Sequence, residues 1–171
     1  KNMQYAKLQI GCLLIILYIE VTYIKVTRSE KLPSNKMFDA LMIVAPWAVF
    51  FDGFTAWTVN HMEIVPELLN RMAHLLFFIF MDLTIIITAI YMYDQLVGFC
   101  KSNKKLNLIL GIPGAISLLL IIGGIGQLNY LHGRTTYYSM GFSAYVCFAS
   151  LFFHYGVILY LVLTRHKFLP A

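Results

Sequence analysis

Five long apolar segments constrain the fold of this chain more than any other feature. A helix needs about 20 mainly apolar residues to cross the hydrocarbon core of a bilayer, and each segment reaches that length. We therefore predict an all-α membrane protein, a bundle of five transmembrane helices that forms one domain over residues 1–171. The predicted spans are residues 4–25, 37–59, 68–96, 106–125 and 141–164.

The composition agrees with a location in the lipid bilayer. Of 171 residues, 60% are hydrophobic and 12% are charged, with a mean hydropathy of +0.73, whereas a soluble domain is about 25% charged. The three cysteines, Cys12, Cys100 and Cys147, lie far apart in apolar surroundings, which indicates small buried side chains and no disulfide framework. The net charge of +5 comes from short basic clusters between apolar segments, so we expect no nucleic-acid partner.

The positions of lysine and arginine predict the orientation of the bundle. Cytoplasmic loops are enriched in these residues, and most of them lie in connectors on one side, with few on the other. We therefore predict that the N-terminus is outside and the C-terminus inside. The odd number of helices and the basic cytoplasmic end also indicate a piece of a longer protein. The basic side has Lys25, Arg28, Lys31, Lys36, Lys101, Lys104, Lys105, Arg165 and Lys167; the opposite side has Lys1, Lys7, Arg71 and Arg134.

The connector between the fourth and fifth helices has a pattern typical of strands. Its sequence, QLNYLHGRTTYYSMG, alternates aromatic and polar residues around His132 and Gly133. Such alternation about a glycine-containing turn indicates two antiparallel strands. We therefore predict a short β-hairpin on the outer side.

Ionisable side chains inside the apolar segments are the first candidates for function. At a rise of about 1.5 Å per residue, Asp52 on the second helix and His74 on the third lie at a similar depth, about 9 Å from the outer surface. Helices joined by a short connector pack as antiparallel neighbours, so we expect these two side chains to pair. The predicted ligand-binding or signal-sensing site consists of Asp52, Thr55, Asn60, Arg71 and His74. The alternative is a static polar contact that only joins two helices.

A second group of ionisable residues is expected deeper in the bundle. Glu20, Asp82 and His154 fall at comparable depths in the cytoplasmic half, again from the helical rise. Ionisable residues within spans commonly mark functional pathways, so this inner polar group is a candidate proton relay or transmitter of outer-site occupancy. Alternatively, Glu20 reaches toward Lys25 at the membrane interface and His154 is a satisfied core histidine.

Sequence signatures of enzymes are absent. The chain has no GxSxG, HExxH, CxxC or glycine-rich phosphate loop, and the YMYD sequence at residues 91–94 lacks the second aspartate segment of an intramembrane protease. We therefore predict no catalytic residues and no cofactor. The outer residues His61, Glu63, Glu67 and His132 have no spacing that indicates a metal site, and we predict none.

Three stretches carry a resemblance to a known group of proteins. The chain resembles the N-terminal multi-helix membrane region that precedes GGDEF or EAL domains in many clostridial signalling proteins, a region similar to a seven-helix sensor. The matching stretches are FFDGFTAWTVNH, LLNRMAHLLFFIFMDL and YYSMGFSAYVCF. The group supplies no established ligand for the residues within these stretches.

The resemblance implies a function, a location and partners. It implies a sensory input domain in a bacterial plasma membrane that responds to an unidentified small ligand. The domain would regulate a cytoplasmic GGDEF or EAL domain of the same chain, which would act as a diguanylate cyclase or as a cyclic di-GMP phosphodiesterase. A homodimer is a further expectation. The competing hypotheses are a transporter or proton-conducting fragment that uses the intramembrane carboxylates and histidines, and a purely structural subunit.

Overall fold

The computed structural model describes residues 7–30, 36–97, 104–134 and 136–165. Within these ranges the chain forms five α-helices, a short 3₁₀ turn and two β-strands. In chain order they are α1 (Lys7–Glu30), α2 (Lys36–Val59), α3 (Glu67–Val97), α4 (Lys104–Gly124), the 3₁₀ turn (Ile125–Gln127), β1 (Asn129–His132), β2 (Tyr137–Met140) and α5 (Phe142–Arg165).

Each of the five described helices is long and apolar enough to cross a membrane. This finding confirms the five predicted helices and supports a multi-pass membrane protein, and the helix ends of α2 to α5 lie within two residues of the predicted spans. The start of the first predicted span, residues 4–6, lies outside the described residues, as do Cys100, Lys31, Lys101 and Lys167. The orientation stays a prediction.

The predicted hairpin between the fourth and fifth helices is confirmed. Strands β1 and β2 pair antiparallel, with Asn129 opposite Met140 and His132 opposite Tyr137. The turn is closed by a hydrogen bond of 2.8 Å that the Gly133 amide donates to the Thr136 carbonyl. Glycine is required here, because a Cβ atom on Gly133 would lie 2.9 Å from that carbonyl oxygen. The sheet therefore covers one end of the bundle, which we call the hairpin end.

Helix α3 lies at the centre of the bundle. It packs against α2, α4 and α5, whereas α1 packs against α2. One core cluster joins Phe78 of α3 to Ile121 of α4 and Cys147 of α5, and a second joins Tyr93, Leu110 and Leu161 from the same three helices. Side chains on the central face of α3 can therefore contact two other helices at once.

Small residues let α4 approach its neighbours closely. A Cβ atom on Gly114 would overlap Ile86 of α3, and a Cβ atom on Gly124 would overlap Phe142 of α5. Small residues commonly allow such close contact between membrane helices. The predicted burial of cysteines is confirmed for Cys147 and wrong for Cys12, which is exposed on α1. A thiol on a helix surface suited to lipid needs no buried position, because it is only weakly polar.

Candidate functional site

Two polar clusters lie along α3, one at the hairpin end and one near its middle. The first is a cavity of about 270 Å³ lined by Met62, Val65, Glu67, Asn70 and Tyr130, which we call the hairpin-end pocket. The second is a hydrogen-bonded group of four buried side chains, Asp82, Ser117, Ser150 and His154, which we call the Asp82 network.

Asn70 presents an unpaired donor to the hairpin-end pocket. The Thr58 hydroxyl of α2 lies 2.8 Å from Asn70 Oδ1 and 3.1 Å from the Thr55 carbonyl. Donation of its one proton along the shorter contact directs the other end of the amide, Nδ2, away from Thr58. Asn70 is only 1% exposed, and Nδ2 has no hydrogen-bond partner among the described residues. A buried donor without a partner costs about 1–3 kcal/mol. A group in the pocket that accepts a hydrogen bond from Nδ2 would remove this cost.

Tyr130 supplies a second unpaired group to the same pocket. Its hydroxyl is buried and lacks a partner within the described part of the chain, and its ring packs edge-on against His74 with centroids 5.5 Å apart. Burial raises the pKa of the Tyr130 phenol; nearby Arg71 partly opposes this rise and Glu67 adds to it. The hydroxyl therefore stays protonated at neutral pH and can donate a hydrogen bond.

Arg71 and Glu67 form the charged edge of this region. Arg71 Nη2 lies 2.8 Å from Glu67 Oε1, and Arg71 Nε donates to the same oxygen at 2.9 Å. Arg71 Nη1 also donates to the carbonyls of Ile125 at 3.1 Å and Gly126 at 2.8 Å. The guanidinium thus joins the first turn of α3 to the 3₁₀ turn that follows α4, where carbonyl groups lack helical partners.

The predicted pairing of Asp52 with His74 is absent from the described part of the chain. Asp52 is hydrogen-bonded by the Gln9 side chain of α1. His74 donates from Nδ1 to the Asn70 carbonyl at 2.8 Å, one turn back on its own helix. Similar depth fixes the height of a side chain but not its direction around the helix axis. Asp52 is directed toward α1 and His74 toward the hairpin, so each residue has a different partner.

The other predicted outer residues are likewise distributed among separate contacts. Thr55 donates to the Asp52 carbonyl at 2.9 Å, a bond within α2. Asn60 donates to the Ala56 carbonyl at 2.8 Å and accepts from the Tyr137 amide at 3.0 Å, and so holds β2 against the end of α2. Two of the five predicted residues contact the lining of the hairpin-end pocket: Arg71 contacts Glu67, and His74 contacts Tyr130. The structure does not gather all five into one site.

Asp82 is the centre of the second cluster. It is fully buried at 0% exposure, and its two carboxyl oxygens contact different helices. Ser117 of α4 lies 2.5 Å from Oδ2, and Ser150 of α5 lies 2.5 Å from Oδ1. Buried carboxyl groups in a low-dielectric interior require such partners, so Asp82 links three helices through its own hydrogen bonds.

His154 extends the Asp82 network toward the end of the bundle opposite the hairpin. Its Nδ1 lies 2.8 Å from the Ser150 carbonyl and 3.2 Å from the Ser150 hydroxyl. Its Nε2 lies 3.2 Å from the Leu110 carbonyl of α4. Carbonyl oxygens only accept, so both ring nitrogens donate at once only in the imidazolium form. Through Ser150, His154 is connected to Asp82.

Ser117 connects the same network to the backbone of α4. Its hydroxyl lies 2.8 Å from the Gly114 carbonyl as well as near Asp82 Oδ2.

The predicted inner group is assembled in part. Asp82 and His154 are joined through Ser150, whereas no described contact joins Glu20 to either residue. Glu20 lies on α1, which packs against α2, and the central helix α3 contacts α4 and α5 on its other sides. Equal depth again did not imply contact, because α1 lies outside the group of helices that surrounds Asp82.

Four important residues were not identified from the sequence: Asn70, Ser117, Tyr130 and Ser150. A signal existed for Asn70, because it lies four residues before His74 and so on the same side of α3. A second signal was Ser150, four residues before His154 on the same helix. Serine at either position is also common in packing contacts, so spacing alone does not select it.

Neither metal chemistry nor similarity to known proteins adds to these assignments. Within residues 7–30, 36–97, 104–134 and 136–165, no three His, Cys, Asp or Glu side chains are grouped as metal ligands. Comparison of the chain with family models, curated proteins and solved structures gave no match.

Proposed function

We propose that the chain is a sensory input domain in a bacterial plasma membrane, with its N-terminus outside and its C-terminus inside. An extracellular or membrane-borne ligand binds at the hairpin end and regulates a cytoplasmic diguanylate cyclase or phosphodiesterase of the same polypeptide. The observation that carries this proposal is the hairpin-end pocket, in which the buried Asn70 Nδ2 and Tyr130 hydroxyl have no partners among the described residues.

Helix α3 offers a physical route from this pocket to the rest of the bundle. Asn70 and Asp82 lie twelve positions apart on one helix, about 18 Å at the usual helical rise. Asp82 in turn contacts Ser117 of α4 and Ser150 of α5. A small shift or rotation of α3 on ligand binding would therefore change hydrogen bonds to two helices, and α5 would transmit the change to its end at Arg165.

Such regulation requires two arrangements of the bundle with unequal affinity for the ligand. We expect a ligand that satisfies Asn70 and Tyr130 to stabilise one position of α3 relative to α2 and the hairpin. We also propose a homodimer, because sensors that drive dimeric cyclases are commonly dimers themselves.

A proton-conducting or transport function is the second candidate, and the observation that favours it is the chain of contacts Asp82–Ser150–His154. Within the described residues this chain ends at the Leu110 carbonyl. Proton flux into liposomes that contain the purified chain separates the two functions. Flux that is lost in Asp82→Asn would favour conduction, and absence of flux above protein-free liposomes would favour sensing.

The complete open reading frame provides the most direct test of the output. We expect it to encode a GGDEF or EAL domain after α5, and a complete frame that encodes neither would reject regulation of a cyclic di-GMP enzyme. If the domain is found, cyclic di-GMP should be measured in cells that produce the full protein. Asn70→Asp should change output, whereas Asn129→Asp, the same substitution on exposed β1, should leave it unchanged. Equal output from both variants and the wild type would reject the hairpin-end pocket as the sensory site.

A further inference from the structure

We propose that the hairpin-end pocket binds a small zwitterion with an apolar side chain, the chemistry of a free apolar amino acid. This inference rests on the proposed sensory function and names the class of ligand for the same pocket. The lining residues divide into donors, a carboxylate and an apolar wall, and each part matches one group of such a molecule.

The donors match a carboxylate. Asn70 Nδ2 is directed away from Thr58, because Thr58 holds the amide oxygen at 2.8 Å, and Tyr130 lines the same cavity as Asn70. Both atoms are buried and unpaired within the described residues. A ligand carboxylate accepts from both, and hydrogen bonds to a charged group are stronger than those to a neutral one.

The charged edge matches an ammonium group. Both bonds from Arg71 go to one oxygen of Glu67, Oε1, and the Glu67 side chain is 68% exposed. The second oxygen of Glu67 therefore remains for a ligand amine. Arg71 and Glu67 are also close enough to influence Tyr130 with opposite signs. A ligand with one positive and one negative group suits an edge that itself carries both charges.

Size and apolar lining restrict the ligand further. Met62 and Val65 line the remainder of the cavity and would contact an aliphatic side chain. The volume of about 270 Å³ lies just below the roughly 300–1,000 Å³ of pockets that hold drug-sized molecules. Water is the competing occupant, because a polar cavity of this size readily holds ordered water.

Calorimetric titration of the chain in lipid nanodiscs tests the ligand class directly. The probes are L-leucine, 4-methylpentanoate, which lacks the amine, and 3-methylbutylamine, which lacks the carboxylate. We expect L-leucine to bind at least about tenfold more tightly than either analogue, since each analogue leaves one charged contact unmade. Equal binding of all three probes, or binding of none, which would indicate water only, overturns the proposal.

Variants establish whether binding occurs in this pocket. Asn70→Asp keeps an oxygen for Thr58 but replaces the donor with a charge that repels a carboxylate, and Tyr130→Phe removes only the hydroxyl. Each should weaken L-leucine binding about tenfold or more, whereas Asn129→Asp and Tyr138→Phe on the exposed hairpin should not. Unchanged affinity in both pocket variants would overturn the assignment. An equal loss of L-leucine affinity in the hairpin controls would also overturn it, because the effect would then not be specific to the pocket.

This experiment is independent of the output domain. Binding of L-leucine without any change in cyclic di-GMP would retain the ligand class and reject the proposed regulation. A change in cyclic di-GMP in Asn70→Asp without L-leucine binding to the wild type would retain the sensory pocket and reject the ligand class.

Discussion

The hydroxyl of Ser150 on α5 lies 2.5 Å from Oδ1 of Asp82 on α3, in the centre of the bundle. Because Ser117 of α4 contacts the other carboxyl oxygen, a single aspartate side chain joins three helices. Few interactions within a bilayer are as directional as a hydrogen bond to a carboxyl group, since packing against lipid and packing against a neighbouring helix are both apolar. The Asp82 network therefore fixes how these three helices are arranged relative to one another.

Loss of the Ser150 hydroxyl should destabilise the bundle more than loss of a comparable hydroxyl elsewhere on α5. Ser150→Ala leaves a buried carboxyl oxygen without its donor, for an expected loss of about 1.5–3 kcal/mol in the free energy of unfolding. Ser143 is the matched control: it donates to the neutral Ile121 carbonyl at 2.8 Å, so Ser143→Ala should lose only about 0.5–1.5 kcal/mol. Denaturant titration in detergent micelles measures both, and a larger loss in Ser143→Ala would contradict the central role of Asp82.

Asp82 and His154 should act as one unit, because Ser150 contacts both. We expect the double substitution Asp82→Asn with His154→Gln to cost less than the sum of the single substitutions, with a coupling energy of about 0.5–3 kcal/mol. Each single change alters the hydrogen bonds that Ser150 makes to the remaining residue, so the second change adds a smaller loss. Unfolding free energies of the four proteins in the cycle provide the measurement. Additive losses would mean that the two residues do not interact.

The spans and the hairpin were predictable because they depend on local patterns. Length and hydropathy are properties of one segment, and alternation around Gly133 is a property of one connector. Contacts between helices also depend on the direction of each side chain around its axis and on the order in which helices pack. For Asp52 and His74 the depths were similar, but their partners are Gln9 and Asn70, so a one-dimensional estimate failed.

The inner group shows which part of a site a sequence can provide. Asp82 and His154 were found because charge in an apolar segment is conspicuous. The residues that connect them to α4 and α5, Ser117 and Ser150, have small polar side chains that occur in many helix contacts. Glu20 was equally conspicuous, yet α1 packs against α2 and does not contribute to the network. A single sequence thus identifies charged members of a site more readily than it identifies their partners.

Ionisation of Tyr130 should require an unusually high pH. Burial raises the pKa of its phenol in the folded protein above the value of about 10 in an unfolded chain. The neutral phenol therefore contributes to stability fully below about pH 10, and this contribution is lost as pH rises through the folded-state pKa. Ultraviolet titration of tyrosinate in the wild type and in Tyr130→Phe isolates this group. Ionisation of Tyr130 at or below the pH at which the exposed Tyr138 ionises would contradict its burial in the pocket.

Arg71 should hold the hairpin end together through the shape of its guanidinium group as well as its charge. It donates to Glu67 on α3 and to the carbonyls of Ile125 and Gly126 after α4. A lysine ammonium cannot reach all three acceptors in this geometry, because its donors lie on one nitrogen and not on a planar guanidinium. In Arg71→Lys we expect faster amide hydrogen exchange in the 3₁₀ turn and β1, with little change in the half of α3 beyond Asp82.

The matched control for this substitution is Arg134→Lys, an identical change at an exposed position in the hairpin turn. Hydrogen exchange followed by mass spectrometry reports both variants under the same conditions. Exchange in residues 125–132 that is equally fast in Arg71→Lys and Arg134→Lys would show that charge alone, or the hairpin sequence itself, holds this end of the bundle. Faster exchange confined to Arg71→Lys would mean that the hydrogen bonds between α3 and the turn after α4 keep the hairpin-end pocket closed on that side, because β1 and its Tyr130 directly follow that turn.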